Sequence, residues 1–423
     1  MADLRSDFTG IKSPNPFWLA SGPPTDKAYN VRRAFEAGWG GIVWKTVGDP
    51  IINTASRYGA NTFNQARVSG FTNIELITDR PIEVNLREVK EVKRDWPHHA
   101  LVVSLMVPCT EPDWQAILAL VDDTGADGVE LNFGCPHGMS ERGMGAAVGQ
   151  VPEYVEMVTR WAKAHTRMPV IVKLTPNITD ILAPAVAAKN GGADAVSLIN
   201  TVASIIGVDL DTMAPLPTVN GRGTHGGYCG PAVRPIALRM VGDIARDAET
   251  AGVPISGIGG IETWRDAAEF VAMGCGTVQV CTAAMHRGFK IVEDMIDGLG
   301  NWMDQRGHKT LDDFRGRAVP NYVNWENLDL NYEILARIDQ DTCIQCGICH
   351  IACEDTAHQA ISAQRANGVR RYEVIDAECV GCNLCALVCP VEGCVTMERV
   401  DNGKPYGAWA DDARNPANAE AAE

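Results

Sequence analysis

The chain has 423 residues, 46% of them hydrophobic, and a formal net charge of −16. That length accommodates two domains, one of them large. The acidic balance argues against a nucleic-acid partner, which wants a basic footprint, and no stretch reaches the roughly 18 consecutive apolar residues of a membrane span.

In chain order, the first eleven residues lack the basic start and apolar core of an export signal. Fourteen cysteines without such a signal point to a reducing, cytoplasmic setting and to metal ligation rather than disulfides. From residue 17 to about 280 one rhythm recurs: a helix-like stretch ends in glycine and a short apolar run follows. The junctions include Glu36-Ala37-Gly38, Asp123-Thr124-Gly125, Asn190-Gly191-Gly192 and Met273-Gly274. Glycine supplies the left-handed turn that stops a helix. Eight runs, continuous as in strands buried on both faces, occupy 17–20, 41–45, 100–105, 128–131, 170–174, 195–199, 254–257 and 277–280. Helical patterns separate most of them, at 29–37, 114–121, 151–164, 181–189, 235–245 and 264–272. Eight strands alternating with helices over about 250 residues predict an α/β fold, a (β/α)8 TIM barrel. A doubly wound sheet is the alternative, but no strand is followed by the G-x-G-x-x-G fingerprint of a dinucleotide site. Two connections, 47–80 and 202–232, exceed what a barrel needs. Both leave strand C-terminal ends, where barrel enzymes place their sites, and long loops there are read as functional.

The residues that finish the strands are polar. Lys45-Thr46 ends the second, Asn132 the fourth, Lys173 the fifth and Asn200-Thr201 the sixth. Gly259-Gly260 follows the seventh and Thr282-Ala283 the eighth. On a barrel these share one rim. Glycines before a helix start present backbone N–H groups to a phosphate, and barrels commonly build that site after strands seven and eight.

Residues 290–306 read as a helix near the end of the barrel domain (1–310), and 311–336 as a polar connector. A cluster domain is expected over 337–400 and a poorly ordered tail over 401–423. Cys343, Cys346, Cys349 and Cys353 have the spacing C-x2-C-x2-C-x3-C, and Cys379, Cys382, Cys385 and Cys389 repeat it. This is the two-cluster ferredoxin pattern, in which the fourth cysteine of one run ligates the other cluster. Two [4Fe-4S] clusters are expected. Structural zinc is the alternative, but zinc ribbons pair C-x2-C units with longer gaps. Clusters move single electrons. The phosphate-bearing cofactor that takes single electrons and passes on pairs is most simply FMN, with Lys45 and Lys173 as candidates to stabilise its anionic reduced form.

The stretch Asn132-Phe133-Gly134-Cys135-Pro136-His137-Gly138-Met139 resembles the active-site loop of the dihydropyrimidine dehydrogenase family. So do Lys45-Thr46, Asn73-Ile74-Glu75-Leu76, Lys173-Leu174-Thr175-Pro176-Asn177, Asn200-Thr201 and Ile258-Gly259-Gly260-Ile261. A barrel followed by a two-cluster domain is similar to the catalytic subunits of the bacterial NAD-dependent members. The resemblance implies that Cys135 is the general acid that protonates C5 of uracil or thymine, with hydride from reduced FMN going to C6. It implies that Asn73, Glu75, Asn132, Gly134, Asn200 and Thr201 bind the pyrimidine base. It implies that Ser21, Lys45, Thr46, Lys173, Gly230, Gly259, Gly260, Thr282 and Ala283 hold FMN. Serine often stands in the family where this chain has Gly134. His137 either tunes Cys135 or packs. With no NAD or FAD fingerprint in the chain, a separate flavoprotein subunit that binds FAD and NAD(P)H is the expected partner, in a hetero-oligomer. Two other readings follow from the same residues. One is dihydroorotate oxidation, with cysteine as base, against which a Glu75 carboxylate near a carboxylate-bearing ring would argue. The other is an electron carrier with no substrate, which would need no thiol acid.

Overall fold

The computed structural model describes residues 2–51, 57–63, 67–356, 358–366 and 368–419. It forms two units, Met1–Tyr322 and Val323–Glu423. In the first, eight parallel strands close into a barrel in sequence order. They are β1 (Phe17–Leu19), β2 (Gly41–Val47), β3 (Ala100–Leu105), β4 (Gly128–Asn132), β5 (Val170–Lys173), β6 (Ala195–Leu198), β7 (Ile255–Ile258) and β8 (Cys275–Val280). β8 pairs with β1 through Val278–Phe17 and Val280–Leu19 and so completes the ring. All eight expected strands are present, and so is the barrel.

Each strand is buried along its whole length, because helices cover the outside and side chains fill the inside. The helices start and stop where local chemistry dictates. Thr110 Oγ1 accepts from the Asp113 amide to cap Glu111–Asp122, and Gly38, at φ +110°, ends Ala28–Ala37. The hairpin Ser6–Phe8 and Ile11–Ser13 plugs the barrel's N-terminal end. There Phe8 meets Trp18 edge-on at 5.9 Å, within a buried apolar cluster that includes Val43, Val102 and Ile171.

The two long connections fold together rather than remaining loops. Tyr58–Phe63 and Arg67–Asn73 from the first join Val202–Ser204 and Gly226–Cys229 from the second in one antiparallel four-stranded sheet. A Cβ at Gly70 would overlap the Tyr228 ring, and one at Gly227 would overlap Thr201, so glycine is what lets this sheet close. Residues 52–56 and 64–66 of the first connection lie outside the described residues.

The expected connector divides. Within 311–322, Leu311 and Phe314 are buried in the barrel unit's core, and the Tyr322 hydroxyl donates to Asp243 Oδ1 at 3.0 Å. The second unit starts at Val323, and its first strand, Glu333–Ile338, pairs with Val395–Val400. A hairpin, Ile361–Ala366 with Val369–Val374, and the helices Ile348–Thr356 and Leu384–Val388 complete it. The tail is not free over 401–419. The Leu330 amide donates to Gly407 O at 2.7 Å, Asn402 Nδ2 to Asn331 O at 2.9 Å, and the Tyr406 hydroxyl to Asn327 O. Residues 420–423 of that expected tail lie outside the described residues. No helix among the described residues is long and apolar enough to cross a membrane.

Candidate active site

A cleft at the C-terminal ends of the barrel strands encloses about 1130 Å3 of empty space, partly open to solvent. The elements that end there bring the predicted residues together. Ser21 follows β1, Lys45 and Thr46 lie on β2, Asn132 ends β4, Lys173 ends β5, and Asn200 and Thr201 follow β6. Gly259 and Gly260 follow β7, and Thr282 and Ala283 follow β8. The four-stranded sheet, a cap sheet over the cleft, contributes Asn73; Gly230 follows its strand Gly226–Cys229, and Glu75 follows Arg67–Asn73. All of these and Cys135 line the cleft.

Gly134 is not among the residues that line it. Its amide donates to Asn132 Oδ1 at 3.2 Å, and a Cβ on it would lie 2.6 Å from Asn200 Nδ2. The loop backbone presses against Asn200 here, which leaves no room for a larger side chain.

The amides form a chain. Asn200 Nδ2 donates to Asn132 Oδ1 at 2.9 Å, and Asn132 Nδ2 donates to Thr46 Oγ1 at 2.9 Å. Thr46 Oγ1 sits 3.1 Å from Ser21 Oγ and 2.9 Å from Ser104 Oγ. Asn73 spends one N–H on Gly227 O at 3.0 Å and accepts from the Glu75 amide at 3.2 Å. Each carboxamide keeps further hydrogen-bonding capacity toward the cleft.

Glu75 is held by two cations. Lys45 Nζ donates to its Oε1 at 2.5 Å, Arg57 Nη1 lies 3.1 and 3.2 Å from its two oxygens, and the Tyr58 hydroxyl donates to Oε2 at 3.2 Å. The expectation that Glu75 repels an anionic ring therefore loses its basis: its charge is compensated where it stands.

Cys135 sits in the loop after β4. Its thiol donates to His137 O at 3.3 Å, and burial pushes its pKa up to about 11, against the opposing pull of Lys173 and the loop backbone. The thiol is therefore protonated at neutral pH. The His137 ring points its hydrogen bond elsewhere: Nε2 pairs with Glu75 O at 2.9 Å, and because a carbonyl accepts, Nε2 carries the hydrogen. Burial lowers the His137 pKa and keeps the ring neutral. His137 thus ties the cysteine loop to the segment that carries Glu75.

The glycines after β7 have the geometry to receive a phosphate-bearing group. Gly259 and Gly260 adopt φ +131° and +70°, and a Cβ on Gly260 would lie 2.8 Å from Arg234 Cβ and 2.9 Å from Gly230 O. Only bare backbone fits this turn, as a phosphate cradle requires. Deeper in the cleft, buried Gln279 Oε1 has no hydrogen-bond partner.

In the second unit, Cys343, Cys346, Cys349 and Cys389 line one cavity, and Cys353, Cys379, Cys382 and Cys385 line another. The fourth cysteine of each run has crossed to the other set, as the spacing predicts.

Comparison with known proteins agrees with this geometry. Residues 3–303 match the dihydroorotate dehydrogenase family, and residues 336–397 match the 4Fe-4S dicluster domain. The chain is 42% identical over 399 residues to the NAD-dependent dihydropyrimidine dehydrogenase subunit PreA of Escherichia coli (strain K12), covering 94% of this chain and 96% of that protein. The chain belongs to the dihydropyrimidine dehydrogenase family. It is 41% identical over 337 residues to the chloroplastic dihydropyrimidine dehydrogenase (NADP(+)) of Arabidopsis thaliana, covering 77% of this chain and 79% of that one. To the catalytic subunit of dihydroorotate dehydrogenase B (NAD(+)) of Pyrococcus abyssi it is 36% identical over 316 residues, 75% of this chain and 99% of that one. The fold alone is shared with the dihydroorotate dehydrogenase of Eimeria tenella crystallised with ferulenol, at a TM-score of 0.61 and 22% identity, over 74% of this chain and 88% of that one.

This dihydropyrimidine dehydrogenase family member also places residues in its site that the sequence reading passed over. Tyr58 stacks on Phe71 at 5.2 Å, and both line the cleft. Cys229 and Cys281 line it as well, with burial pushing their thiols to about 11 and about 12. Glu130 and Gln279 face the barrel interior. Glu130 had a signal in the sequence: a carboxylate inside an apolar strand, two residues before Asn132 and so on the same face.

Proposed function

We propose that this chain reduces uracil or thymine to the 5,6-dihydropyrimidine. The observation that carries the reading is the Cys135 thiol, which lines the cleft together with the Asn73, Asn132 and Asn200 amides and the two lysines. Ring reduction needs a proton donor opposite a hydride source. Dihydroorotate oxidation would use the same cysteine as a base, so the parallel substrate assays below separate the two.

Asn73, Asn132, Asn200 and Thr201 offer amide and hydroxyl groups to the ring's own alternating donors and acceptors. Lys45, held by Glu75, and Lys173 place positive charge beside the proposed cofactor site, and Gly259, Gly260, Gly230, Thr282 and Ala283 offer backbone to its phosphate. When bound and reduced, FMN supplies the hydride to C6. Cys135 gives its proton to C5 and is reprotonated from solvent. The eight cysteines are proposed to hold two [4Fe-4S] clusters that deliver electrons from a separate NAD(P)H-oxidising flavoprotein subunit. The relative from Escherichia coli is itself named a subunit.

A dihydroorotate-oxidising reading retains one observation in its favour, the compensation of Glu75 by Lys45 and Arg57. Flavin and iron analysis of the purified chain, titration of the flavin spectrum with uracil, and parallel assays of uracil, thymine and dihydroorotate test the proposal. Bound FMN, a uracil-dependent spectral change and pyrimidine turnover are expected. A faster reaction with dihydroorotate than with either pyrimidine overturns the substrate assignment, and a chain without flavin overturns the reading as a whole.

A further inference from the structure

A charge sits in the middle of the barrel, where packing alone would favour an apolar residue. Glu130 on β4 is fully buried. Its Oε2 accepts from Ser197 Oγ at 2.8 Å and from Gln279 Nε2 at 3.4 Å. Gln279 Nε2 also donates to Ser256 Oγ at 3.0 Å, which receives the Thr277 hydroxyl at 2.9 Å. The other oxygen, Oε1, stands 3.6 Å from Lys173 Nζ and has no hydrogen-bond partner.

A buried carboxylate with an unsatisfied oxygen is costly, and well-packed apolar residues in place of such a pair are often neutral or stabilising. The polar layer is thus not explained by stability. Its geometry offers another use. Lys173 and Gln279 line the cleft, whereas Glu130 lies behind them and does not. Whatever the carboxylate does to the cleft, it does through those two side chains.

We infer that Glu130 is a positioning residue that tethers the Lys173 ammonium from below, offsets part of its positive charge, and so sets the reduction potential of the FMN that the cleft is proposed to hold. The inference rests on the FMN reading above. A cation beside the flavin stabilises its anionic reduced form, and a carboxylate behind that cation subtracts from the field it exerts. Glu130 therefore keeps the cofactor a stronger reductant than Lys173 alone would leave it. That suits an enzyme that must push hydride onto a pyrimidine.

The test is the flavin midpoint potential of the intact, cluster-loaded chain, wild type against Glu130→Gln. The potential is expected to move upward, with the preference for reduced over oxidised FMN rising on the order of tenfold. Pyrimidine reduction slows through kcat, and KM stays put because Glu130 does not line the cleft. A purely structural role would lower thermal stability and leave the potential where it was. Should Glu130→Gln fail to fold, Glu130→Asp, which keeps the charge but withdraws it from Nζ, is expected to give a smaller shift in the same direction. An unchanged or lowered potential in a folded, FMN-loaded variant overturns the inference while the FMN reading stands. A wild-type chain that holds no FMN overturns both.

Discussion

Replacing Glu75 with glutamine removes the carboxylate that Lys45 and Arg57 share, with little change of shape. The side chains of Lys45 and Glu75 are 7% and 10% exposed and 2.5 Å apart, while that of Arg57 is 28% exposed. Breaking a buried pair by neutralising one partner costs about 3–5 kcal/mol, because the other charge stays buried. Arg57 regains water, so the cost falls near the lower end, about 3 kcal/mol. For a domain this large each kcal/mol is worth about 2 °C in Tm, so a drop of roughly 6 °C is expected. Thermal unfolding at fixed, saturating FMN measures it, since bound ligand itself shifts Tm. The control is a double-mutant cycle with Lys45→Met. If the two residues stabilise each other, the double variant costs less than the sum of the singles by about 2 kcal/mol. Strictly additive losses would refute the coupling, and with it the view that Glu75 enters the site already neutralised.

Three further outcomes follow. Gly134→Ser forces a Cβ to within 2.6 Å of Asn200 Nδ2 and strains the 2.9 Å bond from Asn200 to Asn132. Pyrimidine affinity measured by flavin titration should fall about tenfold, and an unchanged Kd would contradict the contact. The Cys135 pKa is raised by burial to about 11, and the protonated thiol is the acid. Single-turnover pyrimidine reduction should therefore hold level from neutral pH upward and decline only as pH approaches 11, so a basic limb near 9 would count against the assignment. In the second unit, Cys389→Ser should abolish the same cluster's electron paramagnetic resonance signal as Cys343→Ser, and Cys353→Ser the same one as Cys379→Ser. The opposite pairing would disprove the crossed ligand sets.

The barrel was legible because each strand is a short apolar run framed by glycine-terminated helices, a local pattern such as Gly41–Val47 after Gly38. The rim was legible because a polar residue closing such a run, as Lys173 closes Val170–Lys173, has one place to go. The cap sheet was not. Its pairings, such as Gly227 with Asn73, join segments about 150 residues apart, and its strands are too polar and glycine-rich to announce themselves. The ion pair of Glu75 with Lys45, 30 residues apart, was not legible either. The sequence brought Glu75 and Lys45 to one site, but only folding shows that they hold each other. The close approach of Gly134 to Asn200 was hidden too, because a local motif does not show which distant residue packs against it. Composition likewise gave no sign of the hydrogen bonds that 402–407 make to 327–333.

The central claim is that the Cys135 thiol gives the ring its proton. Rapid mixing of the chemically reduced, FMN-loaded chain with uracil, wild type against Cys135→Ala, tests it most directly. The account predicts that the variant keeps its flavin and clusters and binds uracil, yet reoxidises with uracil about 10²–10⁴-fold more slowly. Reoxidation of Cys135→Ala at the wild-type rate would contradict it.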